Sequence, residues 1–164
     1  DDPTTAMANQ CPDPCLVMNC IWQDRDLRFD CRLADLRRRR GEVLIDSMSS
    51  VEDTKGKNGD RGSLSVTNMR LIWQSHKNPR VNLSLGYACL TRVRIRNMSS
   101  VIRGETQALA LLAKFHQRSF EFTFTSLVKA NPRLFVTLQS VHRSYETTKL
   151  YRDLKLRGSI IRLG

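Results

Sequence analysis

The sequence predicts a mainly β domain that ends in one α-helix, and three observations support this fold class. Short stretches of alternating apolar and polar residues follow one another from about residue 43 to residue 127, with turn-forming residues between them. From residue 131 onward the apolar spacing changes to four and three, which is typical of a helix. A length of 164 residues suits one domain with a buried core.

Seven stretches have the alternation and the length expected of strands. A turn rich in Gly, Asn and Asp separates the first two, and Gly86 stands in the fourth at a position suited to a bend or bulge. In chain order the stretches are "EVLIDSMSS", "SLSVT", "RLIWQSH", "VNLSLGYACL", "TRVRIRN", "TQALALLAKF" and "SFEFTFTSL". Strands at such short spacing predict a β-sheet, a sandwich or an open barrel.

The predicted helix runs from Asn131 to Arg157. Asn131 can cap it, Pro132 suits its first turn, and Gly158 can end it. Apolar residues at positions 134, 138, 141 and 145 form one stripe, so the helix is amphipathic. At about 1.5 Å per residue it exceeds the size of a small barrel, and its C-terminal half is expected to project from the sheet. That half carries Lys149, Arg152, Lys155 and Arg157. A bent seven-stranded sheet or open barrel capped by such a helix is a pleckstrin-homology-like fold.

The charge of the chain is strongly positive and unevenly distributed. The net charge is +11, yet residues 1–31 hold six Asp against two Arg, which leaves 25 basic and 10 acidic side chains for the rest. A basic body attracts polyanions such as nucleic acid, anionic lipid head groups or acidic protein surfaces. Charge by itself does not choose among these partners.

Residues 1–20 differ in character from the rest of the chain. They are polar and interrupted by proline, so we predict a disordered leader or tag, followed by one domain over residues 21–164. No stretch approaches about 18 consecutive apolar residues, and the N-terminus has no secretory pattern, so a reducing compartment is expected. The five cysteines match no common zinc spacing, so we predict free thiols, no metal site and no cofactor.

The first candidate site is the connection between the first two predicted strands. A phosphoinositide head group is a compact polyanion and needs two or three convergent cations, helped by backbone N–H groups that glycines make accessible. Glu52, Asp53 and Asp60 lie close by and oppose such a field, so the alternative is a hairpin tip that its charges keep soluble. The head-group candidates are Lys55, Lys57, Arg61, Arg70, Lys77 and Arg80.

The second candidate site is the strand "RVRIR". Arg92, Arg94 and Arg96 share one face of it at about 6.6 Å intervals, and Arg103 follows soon after. Because a guanidinium pairs well with a planar carboxylate, this arginine ladder favours a protein partner over lipid. The alternative is an ordinary solvated face with a cross-strand acid such as Glu105.

Three other features receive plainer interpretations. The run of four arginines at positions 37–40 precedes a strand and is expected to form a solvated turn or a membrane-surface contact. Trp73 and the other aromatic residues fall at core positions, so base stacking and nucleic-acid binding are not expected. His76, His116 and His142 are scattered and lack the neighbours that a nucleophile or metal requires, so we predict no enzymatic activity.

Several stretches also resemble the first repeat of the Bardet–Biedl syndrome 5 protein family. They are "GEVLIDSMSSVEDTKGKNGDRGSLSVTNMRLIWQS", "RVNLSLGY", "RGETQALALLAKF", "FEFTFTSL" and "PRLFVTLQSVHRSYETTKLYRDLKLR". The resemblance runs from about Ile21 to the C-terminus, and its "GSLSVTNMRLIW" element is similar to that of GRAM-related domains.

This resemblance implies a function and a location. It implies a subunit of the BBSome, the coat-like complex that moves membrane proteins into and out of cilia and flagella. The implied location is cytoplasmic, at the basal body and peripheral on the ciliary membrane. The implied partners are other BBSome subunits and an anionic membrane lipid such as a phosphoinositide, and the isolated domain is expected to be a monomer.

Overall fold

The computed structural model describes residues 22–53, 60–100, 104–127 and 133–163, with the backbone alone at 98–100, 104 and 149–163. These residues form eight strands and two helices. They are β1 (Leu27–Phe29), α1 (Leu33–Leu36), β2 (Leu44–Asp53), β3 (Asp60–Thr67), β4 (Arg70–Ser75), β5 (Asn82–Gly86), β6 (Leu90–Ser100), β7 (Gly104–Phe115), β8 (Arg118–Ser126) and α2 (Arg133–Leu163). The mainly β class with a C-terminal helix is confirmed.

All described strands belong to one antiparallel sheet in the order β1-β5-β4-β3-β2-β8-β7-β6. Seven of them are those expected from the sequence. The eighth is β1, which pairs its three residues with Leu83–Leu85 of β5. Three residues are too few to show alternation, so β1 could be recognised only from its pairing.

The sheet curves back on itself. The ring of Phe29 on β1 lies 6.0 Å, centre to centre, from the rings of both Phe120 and Phe122 on β8. In a flat sheet five strand intervals would separate these residues by about 24 Å. The inner face of the resulting barrel-like sheet holds the core, which includes Val51, Leu109 and Phe124.

Helix α2 closes one side of this core. Leu134, Phe135 and Leu138 are buried, and Val141 and Tyr145 pack against the same cluster, as the predicted apolar stripe requires. The prediction for the end of the helix was wrong, because the backbone remains helical through position 158 to Leu163. A glycine weakens a helix without necessarily ending it. The proposed caps, Asn131 and Pro132, lie outside the described residues.

One hairpin connection and one β-bulge show how local sequence shapes the sheet. His116 and Gln117 join β7 to β8 and both have left-handed φ angles, 52° and 64°. Two such residues in a two-residue loop match the twist of antiparallel strands. In β6, the register slips between Leu90 and Arg92, so Thr91 forms a bulge. Beyond this bulge, Val93 and Ile95 face the core side, and the three arginines face outward.

Candidate functional site

Arg70, one of the predicted head-group residues, is buried rather than available at the surface. Its side chain has no exposed area, and its Nε donates to Oε2 of Glu42 at 2.9 Å. The remaining nitrogens donate to the backbone carbonyls of Asp35 and Arg37, to the Ser84 hydroxyl and to the second carboxylate oxygen of Glu42. Because its donors are used internally, Arg70 does not contact a lipid head group, and this prediction was wrong.

The buried pair organises the arginine run that precedes β2. The guanidinium of Arg70 binds the carbonyl of Arg37, while the backbone N–H of Arg39 donates to Glu42 at 2.8 Å. Arg37, Arg38 and Arg40 are exposed. The expected solvated turn is therefore present, and its backbone is attached to the core through Glu42 and Arg70.

The protonation of Glu42 follows from its hydrogen bonds. Burial by itself raises the pKa of this carboxyl, but hydrogen bonds from Arg70, from the backbone of Arg39 and from Thr67 outweigh burial and lower the pKa below its ordinary value. Tyr87 responds in the opposite direction, because burial and then the Glu42 charge raise the pKa of its hydroxyl. That hydroxyl donates to the backbone carbonyl of Thr67 at 2.7 Å.

Three other head-group candidates are exposed at one end of the sheet. Arg61 is the second residue of β3, next to the β2–β3 connection, and Lys77 and Arg80 lie in the β4–β5 connection. Strands β2 to β5 are sequential antiparallel neighbours, so these two connections lie at the same end. The backbone N–H of His76 donates to the carbonyl of Arg61 at 3.0 Å, which places the start of the β4–β5 connection beside Arg61. We call Arg61, Lys77 and Arg80 the basic end.

The β4–β5 connection is held in shape by polar side chains, which leaves its cations at the surface. The Ser75 hydroxyl accepts the backbone N–H of Lys77 at 3.2 Å. Asn82 donates from Nδ2 to the carbonyls of Pro79 and Cys31, at 2.8 and 3.0 Å. The Arg80 side chain reaches one backbone carbonyl, that of Asp30, at 3.4 Å. The turn is therefore rigid, while both cationic groups remain accessible to solvent.

Other residues of the predicted loop lie outside the described ranges or have another role. Lys55 and Lys57 are not among the described residues and belong to the connection between the paired residues Asp53 and Asp60. Gly62 is one of the glycines near this connection that were expected to make the backbone accessible to a ligand, but it is buried, and a Cβ there would lie 2.8 Å from the Trp73 ring. Gly62 thus makes room for Trp73, which is buried as predicted.

The arginine ladder is present on the outer face of β6. Arg92, Arg94 and Arg96 are exposed, and no described carboxylate forms an ion pair with them. Register places Glu105 opposite Ser99, and Glu105 shares its face of β7 with the core residues Leu109 and Leu111, so it is not the cross-strand acid of the three arginines. Arg103 lies outside the described residues.

A shallow cavity of about 140 Å³ lies along this ladder. Ala110 of β7 lies opposite the central arginine, Arg94, and Thr123 of β8 lies opposite Ala110, and both have small side chains. Glu121 lines the far side. Small residues in the middle of the face leave a depression, so the guanidiniums border a concave surface.

The ladder and the basic end are connected by one row of directly paired residues, and the middle residues of this row are buried. Direct register connects Arg96 to Ala108, Ala108 to Thr125, Thr125 to Glu52, and Glu52 to Arg61. Arg61 and Arg96 are therefore the two ends of one row across five strands, about 19 Å long at the usual strand spacing. In the middle of this row Glu52 is fully buried and accepts the Thr125 hydroxyl at 3.1 Å.

The described nucleophilic and metal-ligating groups have structural contacts. Nε2 of His142 bonds the carbonyl of Leu90 at 2.8 Å, and His76 lies 3.1 Å from the Ser63 hydroxyl. Cys31 and Cys89 are buried thiols that form no disulfide, and burial raises the pKa of Cys31. Within the described ranges, no group of three or more His, Cys, Asp or Glu side chains is placed to hold a metal ion. No helix of the described part combines the length and apolar character needed to cross a bilayer.

A strongly bent antiparallel sheet closed by a C-terminal helix defines the class of this chain as a pleckstrin-homology-like domain. Among solved structures, the Vps36 N-terminal PH domain is similar, with a TM-score of 0.52 and 25% sequence identity, over 70% of this chain and 86% of that domain. A family model described as "Bardet-Biedl syndrome 5 protein N-terminal PH-like domain" matches residues 42–147, and the chain belongs to this family.

Curated relatives agree with this assignment. The chain is 53% identical over 145 residues to BBSome complex member BBS5 of Danio rerio, and 51% identical over 145 residues to that of Homo sapiens. BBSome complex member bbs-5 of Caenorhabditis elegans is 45% identical over 149 residues. The matches cover 87–88% of this chain but 41–42% of these relatives, so the chain spans about two fifths of their length.

Proposed function

We propose that this chain is part of a non-catalytic BBSome subunit and that its domain docks the complex onto anionic membrane lipid. The relatives that it matches are named as BBSome complex members. In this proposal the domain works in ciliary or flagellar membrane-protein trafficking, on the cytoplasmic side of the ciliary membrane and at the basal body. Its partners are other BBSome subunits and a phosphoinositide or another anionic lipid, without nucleic acid, and the isolated domain is a monomer.

One observation carries the lipid proposal. Arg61, near the start of β3, and Lys77 and Arg80, in the β4–β5 connection, are exposed at the same end of the sheet. Lys55 and Lys57 belong by sequence to the β2–β3 connection. A head group with several phosphates is bound best by cations that converge from separate segments, because each segment can reach a different phosphate.

A liposome experiment tests this proposal. Lys55→Glu combined with Lys57→Glu is compared with the parent chain on vesicles that contain one phosphoinositide at physiological salt. A matched control, Arg143→Glu, changes charge on the exposed face of α2, away from the basic end. We expect the double variant to lose at least about tenfold in affinity, whereas the control changes it by less than about threefold.

General attraction must be separated from recognition, because each basic residue near an anionic bilayer adds about 1 kcal/mol regardless of lipid identity. Vesicles with two phosphoinositide regioisomers of equal charge provide this separation. A preference of the parent for one isomer, lost in the double variant, is the expected result. Equal binding of both isomers, or parent-like binding by the double variant, would show that the connection is not a head-group site.

A second candidate function is that of a protein adaptor, and the arginine ladder favours it. Arg92, Arg94 and Arg96 border a concave surface and have no described ion-pair partner. Reversal of these three charges should weaken co-purification with other subunits while lipid binding persists. Intact assembly of a folded triple variant would count against this function.

A further inference from the structure

Strand β6 forms one edge of the described sheet. It spans Leu90–Ser100, pairs with β7 on one side, and stands last in the strand order, so no described strand lies on its other side. Along an antiparallel edge, every second residue directs both its N–H and its C=O away from the neighbouring strand. Such an edge is a template for one more strand unless charge, irregularity or a cover prevents pairing.

The inner face of this edge is only partly covered. Val93 and Ile95 pack against the core but are only partly buried. Their direct partners on β7, Leu111 and Leu109, are buried, with 2% and 0% of their surface exposed. The apolar layer therefore becomes thinner at β6, and an added strand with apolar side chains on this face would continue it.

The outer face of β6 carries a row of positive charge that favours some added strands over others. Arg92, Arg94 and Arg96 repeat at every second residue, about 6.6 Å apart along the strand. A second copy of this strand would place arginine beside arginine, and like charges directly opposite each other destabilise a sheet. Pairing between copies of this chain is therefore disfavoured, while an acidic strand is favoured.

We propose that β6 binds an extended segment of a partner protein by strand addition, and that this segment carries acidic residues at every second position with apolar residues between them. Its carboxylates lie beside the three arginines on the outer face, because an added strand lies about 4.8 Å away with the same two-residue repeat. Its apolar residues cover Val93 and Ile95. The inference rests on the second candidate function, the adaptor, and specifies the partner's chemistry.

One contact sets where pairing begins. Nε2 of His142 lies 2.8 Å from the carbonyl oxygen of Leu90, and since a carbonyl only accepts, Nε2 carries the proton. The bulge at Thr91 separates this residue from the regular part of β6. The added strand therefore pairs from Arg92 onward, where the ladder begins.

The test uses synthetic peptides of about nine residues in which Glu and Val alternate, with the 164-residue chain as the receptor. A control peptide has the same composition with its Glu residues grouped together. We expect the alternating peptide to bind at least about tenfold more tightly, because grouped acids cannot all face the ladder. We expect Arg92→Gln, Arg94→Gln and Arg96→Gln together to remove this preference, and Arg143→Gln to keep it.

Backbone pairing is tested separately. Two further alternating peptides carry backbone N-methyl groups on every second residue. One is methylated at the Glu residues and the other at the Val residues, so each peptide has lost the hydrogen-bond donors of one of its two edges. Only one edge of an added strand faces β6, so one methylated peptide should bind at least about tenfold more weakly than the other. Hydrogen exchange resolved by residue should slow at alternate amides of β6 when the unmethylated peptide is bound.

These results separate the inference from the adaptor function. Equal binding of alternating and grouped peptides, no binding of either, or equal effects of both methylated peptides would overturn strand addition. If charge reversal of the ladder still weakened co-purification with other subunits, the adaptor function would remain supported even though strand addition had been overturned. If co-purification and peptide binding were both unaffected by the ladder variants, both would fail.

Discussion

Arg70 and Glu42 form a fully buried ion pair, with 2.9 Å between Nε and Oε2, that attaches the arginine run to the sheet. The guanidinium reaches the carbonyls of Asp35 and Arg37 on the segment that precedes β2. The carboxylate also accepts the Thr67 hydroxyl at 2.7 Å. One pair thus fixes three separate parts of the chain, and its burial leads to the first prediction.

Removal of one member of this pair should be strongly destabilising. Arg70→Met leaves a buried carboxylate without its main partner, and such losses are about 3–5 kcal/mol in free energy of unfolding. Arg32→Met is the control, because its ion pair with Asp35 is exposed and is expected to contribute less than about 1 kcal/mol. Urea unfolding of both variants measures the difference. A loss below about 1 kcal/mol for Arg70→Met would contradict the assigned role.

The same carboxylate should make stability dependent on acid. The pKa of Glu42 is lower in the folded chain than its ordinary value of 4.5, so the folded state favours its charged form. Its contribution is therefore complete above pH 4.5 and is lost as the pH falls through the lowered, folded-state pKa. Glu42→Gln, compared with the parent by urea unfolding from pH 7 to pH 3, should be less stable at neutral pH, with a difference that narrows below pH 4.5. A difference that stays constant across this range would exclude Glu42 as the source.

Gly86 should resist replacement because the backbone of the first turn passes against it. A Cβ at this position would lie 2.5 Å from the carbonyl carbon of Asp24 and 2.7 Å from the carbonyl oxygen of Gln23. Gly86→Ala is expected to lower the free energy of unfolding by about 1–3 kcal/mol, as overpacking does elsewhere. Gly41→Asn is the control, since a Cβ at Gly41 would have nothing within 4 Å and Asn tolerates its left-handed φ of 86°. Equal stability of the Gly86→Ala variant and the parent would contradict this packing.

The β7–β8 turn should be easy to stabilise. Gln117 has a φ of 64°, which glycine adopts without steric cost and most other residues adopt with a penalty. Gln117→Gly should raise the free energy of unfolding by about 1 kcal/mol, visible as a higher Tm, while Gln117→Val should lower it. If both substitutions shifted Tm in the same direction, backbone strain would not be the cause.

The fold class was predictable because it depends on local spacing. Alternation in β3 and β6 and the four-and-three spacing in α2 place apolar side chains on one face, and burial of that face leaves few alternatives. The failures have a different origin. Gly158 was expected to end α2 on residue type alone, and Arg70 was included among the head-group candidates because it lies on the strand after the loop. The position of Arg70 in the sequence does not reveal its partner Glu42, which arrives from elsewhere in the chain.

The candidate sites also combine features that were predictable from the sequence with features that were not. The alternation of "RVRIR" was sufficient to predict that three guanidiniums share a face. Pattern did not reveal that β6 is a sheet edge, or that Glu105 points to the opposite side, because both depend on strand order and register. The one local signal for the buried pair was Glu42, a single acid directly after a basic run and Gly41.

By itself the sequence determined the class of fold, the core stripe of α2 and the placement of three arginines on one face of β6, since these features follow from the geometry of one strand or one helix. Tertiary structure alone decided that Arg70 is internal, that Arg61 and Arg96 end one row across five strands, and that β6 is the last strand of the described sheet. The physical reason is that burial, ion pairing and edge exposure belong to pairs of residues distant in sequence, whose approach depends on how the whole sheet bends.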